Sequence, residues 1–463
     1  MIPKKGTHMK ETKEFLGTEP IGKLLLKLAI PTVLSQVINM LYNVVDRIYI
    51  GHIAGIGDLA LTGVGICMPL IMIVSAFAFL ASAGGAPRAS IFLGEGKREE
   101  AEKTLGNCFA FQILISALLT ALLLLFSKDL LLSFGGSEST IGYATDYMRI
   151  YALGTVFVQL TLGMNAYITA QGFAGYGMIS VLIGAGLNIL LDPIFIFALD
   201  MGVRGAALAT VISQAAACGF VLSFLLGKKS GLRIKKKNLV PEAKILLPCL
   251  ALGLSPFVMQ SSESIVAVCF NTSLQSFGGD IAVGAMTILT SVMQFALLPL
   301  QGLAQGAQPI TSYNYGAKNP ERVRKSVSLL ISISLAYSFL LWGAIMLFPR
   351  AFASMFATEG ALLDFTAGAL RIYCAVLCIF GLQTACQMTF LALGRAKESI
   401  LVAVVRKFVL LMPLIYIVPI FVQNKTLGVY LAEPICDFLA VTFTVITFRY
   451  HFKKALAKIK KAD

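Results

Sequence analysis

The sequence predicts an all-α membrane protein of twelve transmembrane helices in two pseudo-symmetric six-helix bundles. Three observations predict it. Of 463 residues, 57% are hydrophobic and only 13% charged, with mean hydropathy +0.81, too apolar for water on every side. Apolar runs of about 20 residues, the length that crosses a hydrocarbon layer of roughly 30 Å, recur along the chain. Segments of the first half also return, in order, in the second.

In order, the predicted spans cover 24–50, 61–85, 106–127, 146–170, 176–199, 203–226, 245–273, 282–306, 326–349, 363–393, 400–422 and 427–449. The expected organisation is an N-terminal segment 1–23, an N-lobe 24–227 with spans 1–6, a basic linker 228–244, a C-lobe 245–449 with spans 7–12, and a basic tail 450–463. Residues 1–23 are polar without a cleavable signal pattern, so span 1 is expected to serve as an uncleaved anchor.

The formal charge of +14 raises nucleic acid as a partner, but its placement favours topology. With the N-terminus inside, 31 of the 38 Lys and Arg fall on inside segments. That asymmetry predicts a plasma-membrane protein with both termini cytoplasmic and no nucleic-acid partner. The stretch "GKKSGLRIKKKN" reads as a solvated linker that can meet anionic lipids. No enzyme is expected: H-E-x-x-H and G-x-S-x-G are absent, and His8, His52 and His451 lie outside the central spans. The nine cysteines show no metal spacing, and neither cofactor nor metal centre is expected.

The repeat is the next element. "PTVLSQVINMLYNVVD" (31–46) aligns with "PFVMQSSESIVAVCFN" (256–271), "GKREEAEK" (96–103) with "AKNPERVR" (317–324), "RIY" (149–151) with "RIY" (371–373), "AQG" (170–172) with "ALG" (392–394), and "GVRGA" (202–206) with "GVYLA" (428–432). Six spans per copy return the chain to the same side, so the copies are related by an axis along the membrane normal. A cavity between the lobes is the natural place for a substrate.

An ionised acid in a bilayer costs about 3 kcal/mol or more, so mid-span acids are functional candidates. Three are identified: Asp46 in span 1, Asp192 in span 5 and Glu263 in span 7. Asn188 and Asp192 are four residues apart on one helical face. Pro193 has no N–H and crowds the carbonyl of Ile189, so span 5 should bend beside them. Oxygen-rich clusters of that kind suit a proton or sodium. At 1.5 Å per residue, Asp192 and Thr210 each lie roughly 10 Å from the outer surface, a level that Asp46, Tyr42 and Tyr147 can share; Asn165 fits it poorly. The competing reading, hydrogen-bond glue between helices, accounts less well for the acids, since such contacts contribute only about 1 kcal/mol. For Glu263 it stands about level with a role as counter-charge or second cation site.

These residues resemble the multidrug and toxic compound extrusion (MATE) family of cation-coupled exporters. The resemblance covers about residues 15–450 and rests on Pro31 to Asp46 in span 1, "GEGK" after span 2, "AQG" after span 4, "NILLDP" in span 5 and the duplicated plan. It implies a V-shaped pair of bundles that exchanges amphipathic, often cationic compounds for protons or sodium. It also implies cation coupling at Asp46, Asn188, Asp192 and Thr210, with Tyr42, Tyr147 and Asn165 as an accessory polar network. Glu263 matches an acid used by another branch, together with an acid in span 10. Here that region is "FGLQTACQ", with Gln383 and no carboxylate, and Thr169 stands where the family usually has arginine. Both departures favour coupling through the N-lobe. The expected unit is a monomer taking small amphipathic substrates, with "MTILTSVMQFALLPL" and "MPLIYIV" as candidate apolar walls. The alternative, a flippase for lipid-linked saccharides, needs several mid-span cations, and Arg149 and Arg371 near span ends are the main ones expected.

Overall fold

The computed structural model describes residues 15–355 and 360–460, and every regular element among them is helical. The expectations on 1–14, which include His8, and on 461–463 fall outside the described residues. All twelve predicted spans lie on helical segments. The first six are α1 (Ile21–Gly51), α2 (Gly57–Gly94), α3 (Arg98–Ser133), α4 (Ile141–Ala170), α5 (Ala174–Pro193) and α6 (Gly202–Leu226). Beyond Pro193, α5 continues as a π-helical turn, Ile194–Ala198.

The next helix, Ala243–Gly316, has 74 residues, far too long for one crossing. It breaks at Gly279, whose φ of 63° and ψ of −160° belong to a region open essentially to glycine. Its arms are α7 (243–278) and α8 (280–316). Then follow α9 (Pro320–Leu347), a single turn at Pro349–Ala353, the two-piece α10 (Ala361–Tyr373 and Leu377–Ala392), α11 (Ala396–Phe421) and α12 (Lys425–Lys460). Span 10 was expected as one helix over 363–393. It is instead two pieces, Ala361–Tyr373 and Leu377–Ala392, bent by 50°. The break frees the carbonyl of Ala375, and Trp342 Nε1 donates to it at 3.0 Å.

Among the described residues, nine helices are long and apolar enough to cross a membrane, or ten with bent α10. The difference from twelve has two sources. The arms α7 and α8 count there as one helix, and α4 carries Asp146, Arg149, Gln159 and Asn165. Leucines such as Leu114, Leu118 and Leu125 of α3 are exposed, as a lipid-facing surface requires.

The lobes meet through glycines in the half of the bundle nearest the linker. A Cβ on Gly84 would collide with the Cys249 carbonyl, and one on Gly253 with the Leu80 carbonyl, so α2 and α7 touch backbone to backbone. The α1–α8 seam repeats this with Gly302 against Val33 and Gly306 against Ala29. Between α2 and α8 the contact is its own mirror image: Gly94 lies on the Tyr313 carbonyl and Gly316 on the Ile91 carbonyl. Each residue pairs with the repeat-mate of its partner, an offset of 222, as a two-fold interface demands. Thr32 Oγ1 donates to the Gly302 carbonyl at 2.6 Å, and Gln36 Nε2 to Gln305 Oε1 at 3.1 Å, across the same seam. One turn farther from the linker, Phe77 and Phe257 meet at 5.0 Å between ring centroids.

The linker is more than solvated. Its lysines Lys236 and Lys237 face outward, but Ser230, Leu232 and Asn238 are buried. Gln171, the C-cap of α4, accepts from Ser230 Oγ at 3.1 Å and from Leu232 N–H at 2.9 Å, and buried Glu102 of α3 pairs with Lys235 and Arg98. These contacts follow from alternation of apolar and basic residues, which charge counting overlooks.

Because Gly84 touches backbone, Gly84→Leu should destabilise the protein by about 3 kcal/mol or more. Gly186→Ala, at a position with open space around it, should be neutral or slightly stabilising. Thermal unfolding of the two purified variants in detergent checks the contrast; equal melting would contradict the seam.

Candidate functional site

In the N-lobe, α1, α4, α5 and α6 bring most of the expected residues together. Asp192 is fully buried and Asp46 is 9% exposed. Their carboxyls are near neighbours across α1 and α5. Asn188 Nδ2 spans the gap, donating to Asp192 Oδ1 at 3.3 Å and to Thr210 Oγ1 at 3.4 Å. The Tyr147 hydroxyl reaches Thr210 and its ring stacks on Tyr151 at 6.3 Å, while Tyr42 stands beside both acids.

The local cause is the Asp-Pro pair. Pro193 removes one amide from the helical ladder, and the chain answers with the π turn, in which Leu199 N–H bonds the Ile194 carbonyl at 2.8 Å. The one-turn spacing of Asn188 and Asp192 keeps both on the face toward α1 and α6. Asn165 is not part of this group. Its amide donates to Ser180 Oγ at 3.1 Å and to the Gly177 carbonyl at 3.3 Å, roughly 12 Å along α5 from Asn188.

Three buried oxygens here, Asp46 Oδ1, Asp192 Oδ2 and Asn188 Oδ1, have no hydrogen-bond partner among the described residues. Two neighbouring carboxyls, with the adjacent Arg47 pointing into the open, cannot both remain ionised in hydrocarbon. One shared proton, or one small hard cation among the oxygens, relieves the repulsion.

The C-lobe holds a cluster that sequence reasoning missed. Arg406 and Lys407, counted above among the inside charges, are buried midway along α11, within the π-helical stretch Val405–Leu411. Arg406 Nη2 donates to Asp437 Oδ1 at 2.9 Å and to Glu433 Oε1 at 3.2 Å, and its guanidinium stacks over Phe380 at 4.9 Å. Lys407 Nζ donates to Glu263 Oε1 at 2.7 Å. The expectation that Arg149 and Arg371 are the main mid-span cations is therefore corrected, and Glu433 and Asp437 of α12 join the mid-span acids. Arg406 and Lys407 follow Arg395 and Lys397 closely in sequence, which made them look like interface charge. A usable signal was present: Glu433-Pro434 repeats the acid-proline pair of Asp192-Pro193, with Asp437 one turn on.

Glu263 leaves 52% of its side chain exposed. At that depth an exposed carboxylate faces a wet cleft, because lipid offers it no solvation.

A duplicated bundle with an acid pair in one lobe and an ion-paired cluster in the other defines a membrane transporter. The profile of the MatE family matches residues 31–194 and, a second time, 254–417, and the chain belongs to that family. The two matches also delimit the repeat. The chain is similar to the multidrug export protein MepA of Staphylococcus haemolyticus (strain JCSC1435), 24% identical over 451 residues that cover 95% of this chain and 97% of MepA. It is 22% identical to MepA of Staphylococcus aureus (strain NCTC 8325 / PS 47) over 92% and 94% of the two chains. Among solved structures it resembles a MATE protein crystallised in a bent conformation, with TM-score 0.89, 24% identity and 99% of both chains covered. It also resembles the MATE multidrug transporter DinF-BH, solved with R6G, with TM-score 0.86, 35% identity and 94% and 96% covered.

The two clusters should respond oppositely to neutralisation. Asp192→Asn removes one of two facing acids and should leave thermal stability unchanged or raised. Arg406→Leu leaves Glu433 and Asp437 without their base and should cost about 3–5 kcal/mol. Unfolding of both variants in detergent reads the difference.

Proposed function

We propose that this protein is a cation-coupled antiporter that exports amphipathic, often cationic compounds from the cytoplasm by alternating access. The observation that carries this reading is the Asp46–Asp192 pair, where oxygens unpartnered among the described residues stand ready for a proton or sodium. Uptake of that ion from outside joins the acids, reshapes α1 and α5, and lowers affinity for the cargo. Linkage makes the effect reciprocal, so bound cargo weakens ion binding. Glu263 is the candidate counter-charge for cargo. The basic linker side faces the cytoplasm, with both termini there, by the positive-inside rule. Each chain carries both lobes and both clusters, so the monomer is the transport unit, and its basic face meets anionic lipid.

The names of the relatives support this direction: MepA is a multidrug export protein, and DinF-BH is a MATE multidrug transporter solved with R6G. The buried cations Arg406 and Lys407 bear on the flippase alternative. They are engaged by three carboxylates, however, which leaves no positive surplus for a pyrophosphate cargo.

Ethidium transport in liposomes tests the reading. One gradient, of protons or of sodium, should drive uptake by wild type, and Asp192→Asn should reduce the driven rate by about tenfold or more. Full driven transport by the variant would remove the N-lobe pair from coupling.

A further inference from the structure

The C-lobe cluster does not balance. Glu263, Glu433 and Asp437 face only two bases, Arg406 and Lys407. Among the described residues, the other titratable groups beside the helix 12 acids are neutral when protonated: Tyr373 and Cys374 at the break of α10, and Cys436 of α12 itself. One negative charge is therefore left in surroundings where Glu433 and Asp437 are 8% and 7% exposed. A surplus charge at that depth needs a compensating proton or cation.

A second observation points to the same place. Gln383 of α10 is 2% exposed, and neither its amide nitrogen nor its oxygen has a partner among the described residues. It lies one turn from Gln387, whose amide donates to Ser255 Oγ at 3.3 Å and to Met259 Sδ at 2.7 Å on α7. On the other side it is three residues from Phe380, which carries the Arg406 guanidinium. Since α10 and α7 run antiparallel, one turn from Gln387 is the level one turn beyond Met259, that of Glu263. Gln383 is thus an uncommitted amide between the cleft acid and the buried base.

We propose that this cluster exchanges one proton for one cargo cation, with the proton held between Glu433 and Asp437 and the cation received at Glu263. The proposal rests on the exporter reading above and gives it a second coupling site. A metal ion suits the inner position poorly, because Arg406 touches both carboxylates and would repel it. Before cargo arrives, Lys407 satisfies Glu263, and one proton on the Glu433–Asp437 pair neutralises the surplus. A cationic cargo takes over Glu263 and displaces the Lys407 ammonium. The freed ammonium, next in sequence to Arg406, turns toward Glu433; the carboxyl O–H bond breaks and the proton leaves to cleft water. The cluster is neutral before and after, so the exchange carries no change in buried charge. Gln383 supplies a donor and an acceptor while the pairs are rearranged.

The test uses full-length protein in detergent, ethidium as the monocation, and a pH dye in weak buffer. Asp46→Asn/Asp192→Asn removes the N-lobe acids from the signal. In that background about one proton should be released per ethidium bound. Adding Glu433→Gln balances acids and bases, so release should vanish and affinity should fall about tenfold or more. Adding Lys407→Met to Glu433→Gln restores the single surplus and should restore release, which a merely structural role would not do. Should Glu433→Gln fail to fold, Lys407→Met alone still decides: with the competing ammonium gone it should tighten ethidium binding while still releasing about one proton per ethidium. Release unchanged by Glu433→Gln, no recovery in the folded double substitution, or weaker binding in Lys407→Met overturns the exchange while leaving the exporter reading intact. Absence of binding by wild type to both ethidium and tetraphenylphosphonium overturns both.

Discussion

Charge inside a hydrocarbon layer must be matched, and the organisation of both lobes follows from how that is done. The N-lobe places two carboxyls side by side and surrounds them with neutral oxygen and amide groups. The C-lobe spends two bases on three acids. In each case the charged groups sit beside a departure from α-helical geometry. The π turn of α5 directly follows Asp192 and Pro193, and the π stretch of α11 contains Arg406 and Lys407 themselves. Such bulges rotate side chains relative to the regular ladder and are common at functional positions. Here they occur in the fifth helix of each six-helix copy. The two distortions do not align within the repeat, since Asp192 falls on Leu414 at the offset of 222.

The seams set the frame in which those clusters work. Three backbone contacts on the linker side, at Gly84/Gly253, Gly302/Gly306 and Gly94/Gly316, hold the lobes together without side chains between them. Contacts of this kind depend on shape and dispersion rather than on hydrophobic transfer, because lipid is as apolar as the seam. At the glycines themselves no side chain interlocks, and the side chains that cross between the lobes are Gln36 with Gln305 and Phe77 with Phe257. The linker, clamped to α3 and α4 through Glu102 and Gln171, joins the lobes.

Most of the fold was legible in the sequence, because apolar runs and a repeat report directly on bilayer thickness and duplication. All twelve spans fell on helices. The break of α10 was not legible: residues 374–376 are Cys-Ala-Val, with no proline or glycine, and what stabilises the break is Trp342 from another helix. The N-lobe group could be anticipated from depth and spacing alone, down to the poor fit of Asn165. In the C-lobe the same method stopped short. Helix 11 begins with Arg395 and Lys397, and a window average cannot separate charges at a membrane face from charges ten residues deeper. Their partners lie on α12, about 30 residues away, and only the packed structure joins them. The Glu433-Pro434 pair was the clue, readable once Asp192-Pro193 is understood as an acid placed where a helix ladder is already broken.

The central claim is that ions and cargo compete for one set of buried charges. It is tested most directly by the dissociation constant of ethidium for wild-type protein across a range of pH, with and without sodium. Competition predicts that affinity weakens as pH falls or as sodium is added, by up to about tenfold per pH unit for each proton released. An affinity independent of both pH and sodium would contradict the account, since the buried acids would then hold their ions without reference to the cargo.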